Sequence, residues 1–284
     1  MRCRSVSLSC KGKINHLIRL PVFLTTAIFV WLLSDLVQQG WQLLSFDFLR
    51  QEPLQAGRSG GIGPVLVSTA WVVLICLSVA LPISLGAAIW LNRFTPANSR
   101  LSRSIRLLLD ILAGVPSIVF GLFGAAFFGI TLGLGFSILS GGLTLACMIL
   151  PLMIRTTEAG LAAVPTEWTH GAAALGIGHV STLWHLQLPA ALPTILAGLL
   201  LSLGRALSET AALLFTSGYV TRFPESWLDS GRVLSVHIYD LAMNVTGGNA
   251  AAYASALTLI ILLILINGIA MRLASHLQQR SLHL

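Results

Sequence analysis

Six apolar runs, each about as long as a bilayer is thick, limit the folds open to this chain more than any other feature. They fall at roughly 17–38, 64–91, 107–130, 136–157, 190–217 and 251–274. Crossing about 30 Å of hydrocarbon takes about 20 residues of helix. No water is present there to pair backbone amides, so each run is expected to close its own hydrogen bonds as an α-helix. The chain is therefore read as an all-α membrane protein with six transmembrane helices. Composition agrees: 55% of the 284 residues are hydrophobic and 10% charged, against about 45–50% and about 25% in soluble domains. Six spans leave one polytopic domain over 1–284 and little room for a soluble module. The net charge of +7 does not imply nucleic acid, because many basic side chains flank the apolar runs instead of clustering on a wet face. Cys3, Cys10, Cys76 and Cys147 have neither metal nor disulfide spacing, and the 7 histidines show no ligand pattern, so no metal is expected.

The first run follows "MRCRSVSLSCKGKINHLIR" and lacks a small-residue cleavage site, so it is expected to remain as an anchor. Lysine and arginine then orient the chain. With a cytoplasmic N-terminus, Arg2, Arg4, Lys11, Lys13 and Arg19 share that side with Arg93, Arg100, Arg103, Arg106, Arg155, Arg272 and Arg280. Arg50, Arg58, Arg222 and Arg232 fall outside. This asymmetry and the even number of spans place both termini in the cytoplasm. Segments 39–63 and 218–250 are then external, and the second contains "GRVLSVHIYDLAMN", read as a short helix lying over the outer face as a lid. Pro82, Pro116, Pro151 and Pro193 interrupt the spans, which lipid tolerates only where neighbouring helices or a cavity satisfy the freed carbonyls. "LAGVPSIVFGLFGAAFFG" adds small residues that let helices approach closely. Asp110 is expected to pair with Arg106 one turn earlier. Arg155 and Glu158 are expected to anchor at the headgroups, and Asp35 to sit near the outer interface. Asn244-Val245-Thr246 has the glycosylation pattern, which carries no weight in a bacterial host.

The cytoplasmic segment 158–189 is too apolar for a solvated linker and too interrupted to span a bilayer. A helix over about 166–175 should stop at Gly176, since glycine accepts positive φ. A second, over about 179–187, should end before Pro189. Trp184 and Leu183, beside His179 and His185, give this knob a partly apolar tip suited to a partner's groove or to the lipid headgroups. Gly176 followed by Leu186, Leu188 and Pro189 resembles the cytoplasmic signature of ABC importer permeases. In that family the loop docks into the ATP-hydrolysing subunit. The family usually has Glu-Ala-Ala before the glycine, and His170, Gly171 and Ala172 stand there in this chain.

"LLLDILAGVPSIVFGLFG", "LPLMIRTTEAGLAAVP" and "GRALSETAALLFTSGY" extend the likeness to the PstA-type permease of phosphate importers. The resemblance runs from about 60 to 267, and "AGVPSIVFGLFG" with "RALSETA" is its specific part. It implies a type I ABC importer permease fold with a core over 64–274 and cytoplasmic coupling helices. It also implies a sister permease (PstC-type), an ATPase dimer (PstB-type), a periplasmic phosphate-binding protein (PstS-type) and residence in the bacterial inner membrane.

One segment, "LLSLGRALSETAALLF", sets two full charges inside an apolar run. A mid-membrane arginine costs about 2.5–3.5 kcal/mol on insertion scales. If the run is one helix, Arg205 and Glu209 share a face. Mutual neutralisation is a weak account of their presence, since an isolated pair contributes about 0.2–0.5 kcal/mol and arginine before glutamate is the poorer order. Two readings follow. In one, Arg205 lowers the barrier for an oxyanion, Glu209 holds it between passages, and Ser208 and Thr210 add hydroxyls. In the other, the pair is structural, at the interface with the sister permease. The chain has no G-x-x-x-x-G-K-[S/T] loop, so ATP hydrolysis by that chemistry is expected from the partner, with no catalytic residue and no bound cofactor here. The alternatives are a permease for sulfate or molybdate, and more remotely a secondary carrier or a scaffold without an ATPase. A carrier should show two repeated halves, and none is evident.

Overall fold

The fold is described from a computed structural model covering residues 8–96 and 99–281, with side chains over 19–96 and 99–272. The first apolar run lies in α1, Leu8–Trp41. A connection follows that holds the short α2 (Phe46–Arg50), capped by the Ser45 hydroxyl, and a small antiparallel pair, β1 (Pro53–Leu54) with β2 (Ser59–Gly60). The long helices are α3 (Gly63–Arg93), α6 (Ile138–Ala162), α9 (Leu188–Ser208) and α12 (Asn249–Ser281). Between them lie α4 (Arg100–Ala113), α5 (Ser117–Gly124), α7 (Thr166–Ala174), α8 (His179–Thr182), α10 (Ala211–Leu214) and α11 (Leu234–Met243).

Helix α6 is the centre of the bundle. Ser137 caps its start by accepting the Ser140 amide, and Ile138, Leu145, Met148, Ile149 and Met153 are buried along it. It packs on both α3 and α9. In lipid, close packing drives helix association, so small residues mark the contacts. Gly142 lies against Ile75 and the Val72 carbonyl of α3, while Gly198 of α9 lies against Thr156 of α6. α1 packs on α12, which also carries α11.

Three expectations about the spans need correction. The apolar run at 107–130 is two helices meeting at 97° across Gly114, Val115 and Pro116. Pro116 cannot donate a backbone amide and restricts the residue before it, so the helix stops there. α4 is amphipathic, a pattern that hydropathy averaged along the run does not register. Among the described residues, five helices are thus long and apolar enough to cross a membrane, or six if the bent pair counts as one span. Second, no break occurs before Pro189: α8 passes through a π-helical turn, Leu183–Gln187, directly into α9. Proline at the first turn of a segment loses no helical bond, so Pro189 is accommodated. Third, the run at 190–217 ends as a helix at Ser208.

Candidate functional site

The end of α9 holds the two charges singled out in the sequence. Arg205 lies in its last turn, about 25 Å along the helix from Leu188. Glu209 has left the helix, with φ −73° and ψ 126°, and the chain resumes as α10 two residues later. Arg205 and Glu209 are therefore not neighbours on one helical face, and no ion pair joins them. The four-residue spacing misled because it presumed continuous helix.

Each group at the break has a defined task. The Glu209 carboxylate accepts the Ala212 amide at 3.3 Å and so caps α10. The Glu209 carbonyl accepts the Ser235 hydroxyl of α11 at 2.5 Å. The Ser208 hydroxyl donates to the carbonyls of Gly204 (2.9 Å) and Arg205 (3.2 Å), which occupies that side chain locally. Thr210 is half-buried beside them. Arg205 is also half-buried and makes no hydrogen bond or ion pair among the described residues. What favours its charge within this chain is the negative end of the helix dipole.

The loop between α6 and α9 places the other predicted residues. α7 ends as expected, with Gly176 at φ +71°. His170, Gly171 and Gly176 are exposed and Ala172 is buried. Leu186, Leu188 and Pro189 are half-buried, and Leu188 packs with Leu183 against Ile154, Leu161 and Ala191. The tip is apolar: Leu175, Val180 and Trp184 are exposed. A polar contact also ties it to the bundle, where the Arg93 guanidinium meets His179 Nδ1 at 3.3 Å.

Beside the entry to this loop stands a charge cluster that sequence reading paired wrongly. Arg106 of α4 bonds Glu158 of α6 at 2.7 Å, and Arg155 holds Asp110 through two bonds of 3.0 and 3.2 Å. Arg155 also reaches Glu158 at 3.2 Å. The expected Asp110–Arg106 pair within α4 does not form, because α6 presents a planar arginine fork that takes both oxygens of Asp110. Arg155 and Glu158 thus bind α4 instead of anchoring separately at headgroups. Arg106, Arg155 and Glu158, together with Thr156, Ala159 and Ala162, line a cavity of about 520 Å³.

In the connection before α12, "GRVLSVHIYDLAMN" is helical, as expected, but tucked inward, with Leu234, Val236 and His237 buried. Arg232 pairs with Asp240 at 2.9 Å and donates to the Tyr219 carbonyl at 3.1 Å. His237 is fully buried, and neither ring nitrogen has a partner among the described residues. Burial first, and then the Arg232 charge, push its pKa down to about 4, against an opposing pull from Asp240. No group of histidine, cysteine, aspartate or glutamate among the described residues is arranged to hold a metal.

A bundle of long apolar helices, a broken span whose arginine has no partner among the described residues, and an exposed apolar tip are features of a membrane transport component. The family model described as "Binding-protein-dependent transport system inner membrane component" matches residues 80–283, and the chain belongs to that family. It is a multi-pass membrane component of a binding-protein-dependent transporter, with the type I ABC importer permease fold. Among its relatives, the phosphate transport system permease protein PstA 2 of Mycobacterium tuberculosis is 30% identical over 84% of this chain and 78% of its own length. The probable ABC transporter permease protein YqgI of Bacillus subtilis is 33% identical over 69% of this chain. The PstA homolog of Mycoplasma pneumoniae is 32% identical over 72% of it. The match spans 66% of the length of the second of these relatives and 32% of the third. A solved bacterial ABC transporter for the acidic polysaccharide alginate matches 94% of this chain and 96% of its own, with a TM-score of 0.70 at 14% identity. The inward-facing MetNI methionine transporter matches 76% and 94%, with a TM-score of 0.58 at 19% identity. At these identities the likeness concerns the fold alone.

Proposed function

We propose that the chain is the membrane-spanning permease subunit of an ATP-driven phosphate importer. It would form half of the translocation pathway with a sister permease. The observation that carries this reading is Arg205: half-buried, without an acidic partner among the described residues, at the end of a helix broken within an apolar run. Irregular backbone at membrane depth is tolerated only where it is enclosed by protein or lines a wet cavity. A guanidinium there offers a planar fork of donors matched to an oxyanion. Relatives named as phosphate transport permeases point to which oxyanion.

The corrected geometry changes the mechanism. Glu209 is occupied as a cap and does not hold Arg205, so an arriving anion meets the arginine without first displacing a carboxylate. Passage then depends on Arg205 binding weakly enough to release, which solvent access favours over a dry site. The exposed tip with Leu175, Val180 and Trp184, set by the positive φ of Gly176, is the surface proposed to dock on an ATPase dimer. His170, Gly171 and Ala172 place no carboxylate in that contact. ATP hydrolysis belongs to that partner, delivery to an external phosphate-binding protein, and both termini are assigned to the cytoplasm.

ATP-dependent uptake of radiolabelled phosphate by cells or vesicles containing the whole complex tests the reading. Excess unlabelled phosphate should abolish the signal, and sulfate and molybdate should leave it nearly unchanged. Competition by either at equal concentration would reassign the substrate.

A further inference from the structure

We infer that Ser235 is a positioning residue that keeps α9 broken and thereby holds Arg205 apart from Glu209. This rests on the reading of Arg205 as part of the pathway. In a continuous helix the Glu209 carbonyl would accept the amide of Leu213, four residues on. Here that carbonyl is turned out of the helix by its ψ of 126° and is bonded by the Ser235 hydroxyl instead. The Glu209 carboxylate is drawn the other way, onto the Ala212 amide. In the broken state each polar end of Glu209 thus has a partner, and one of the two ties comes from a different helix.

Ser235 is well placed for this task. It is 6% exposed, sits in the first turn of α11, and reaches across 26 residues of sequence to make the bond. Removing its hydroxyl takes from this partly buried carbonyl the donor that it has in the broken state, and an enclosed carbonyl without a donor is a state that proteins avoid. The nearest remedy is local: the chain at 209–210 returns to helical dihedrals, and the Leu213 amide takes the carbonyl. That continuous helix sets Arg205 and Glu209 four residues apart on one face, where they can pair. The alternatives are thus an open arginine facing the pathway and an arginine neutralised by its own chain. α11 lies in the external segment, so the bond gives movement on the outer side a direct mechanical hold on the arginine.

The test uses the assembled complex in a cysteine-free background. Spin labels at Leu201→Cys and Tyr219→Cys, placed on exposed residues either side of the break, report its geometry by pulsed dipolar distance measurement. Ser235→Ala should shift the distance distribution, and its phosphate KM should rise about tenfold while the basal ATPase rate stays unchanged. Ser235→Thr, which keeps the hydroxyl, should restore both. Ser235→Cys, a weaker donor, is read by its phosphate KM alone, without labels; that KM should lie between, and it serves if the alanine variant does not accumulate. Unchanged distances and an unchanged KM in Ser235→Ala would overturn the inference. Arg205→Gln separates it from the reading beneath. Normal uptake in that variant with a shifted distance in Ser235→Ala removes the pathway role and leaves the bond. Lost uptake with no shift does the reverse.

Discussion

Replacing His237 by leucine should remove a measurable part of the acid sensitivity of this protein. The imidazole is fully buried, with both nitrogens unpartnered, and its pKa falls from 6.5 to about 4. The groups acting on it are Arg232, which opposes protonation, and Asp240, which favours it less strongly than burial and Arg232 oppose it. Because the folded pKa lies below the unfolded one, the unfolded chain binds the proton more readily. Stability from this site is therefore complete above about pH 6.5 and is lost as pH falls from there to about 4. The whole difference corresponds to roughly 3 kcal/mol, of which about 2 kcal/mol is gone by pH 5. Thermal unfolding of the purified complex in detergent, at pH 7.5, 6 and 5, reads the effect. His237→Leu should equal or exceed the wild-type midpoint at pH 7.5, since no buried nitrogen is left unpaired. It should then lose distinctly less stability than wild type between pH 7.5 and 5. Parallel losses in the two proteins would refute the assignment of the acid-sensitive step to His237.

Other consequences concern the cytoplasmic half and the helix contacts. Glu158→Gln should destabilise by about 1–3 kcal/mol, because it strips two arginines of a carboxylate that is 9% exposed. Asp110→Asn, at 55% exposure, should cost less than about 1 kcal/mol, so equal midpoint shifts in unfolding would contradict the cluster geometry. Gly176→Ala should cost about 1–2 kcal/mol from its φ of +71°, and Gly176→Asn less, measured as recovery of ATPase bound to the solubilised complex. Nothing lies near Gly176, so identical behaviour of the two variants would make the effect steric at the partner instead of conformational. Gly198→Leu should separate α9 from α6 at Thr156 and lower the unfolding midpoint by the equivalent of about 1–3 kcal/mol; an unchanged midpoint would refute that contact.

How far the sequence reveals the structure differs from feature to feature. Long helices are legible because hydrocarbon leaves the backbone no other way to satisfy itself, and α3, α6 and α12 lie close to where the apolar runs put them. Breaks are not, since hydropathy averages over them. The apolar run containing Glu209 continues on both sides, and the helix ends there because Ser235, far along the chain, supplies a donor that competes with the local amide. The Pro116 bend did carry a signal in its proline, although proline alone does not tell a kink from a 97° turn. Pro189 shows the converse, a proline that ends nothing because it falls in the first turn of α9. Charge pairing fails for the same reason as the breaks: Asp110 has a plausible partner in its own helix and a better one on α6. Gly176 was legible because its requirement is purely local.

The central claim is that Arg205 meets the transported anion. Phosphate uptake by the complete complex carrying Arg205→Gln, with ATPase activity and subunit assembly measured on the same preparation, tests it most directly. Uptake should fall at least tenfold while assembly is normal and hydrolysis continues, and Arg205→Lys should recover only part of it, having a point charge without the fork. Wild-type transport by a properly assembled Arg205→Gln complex would contradict the account.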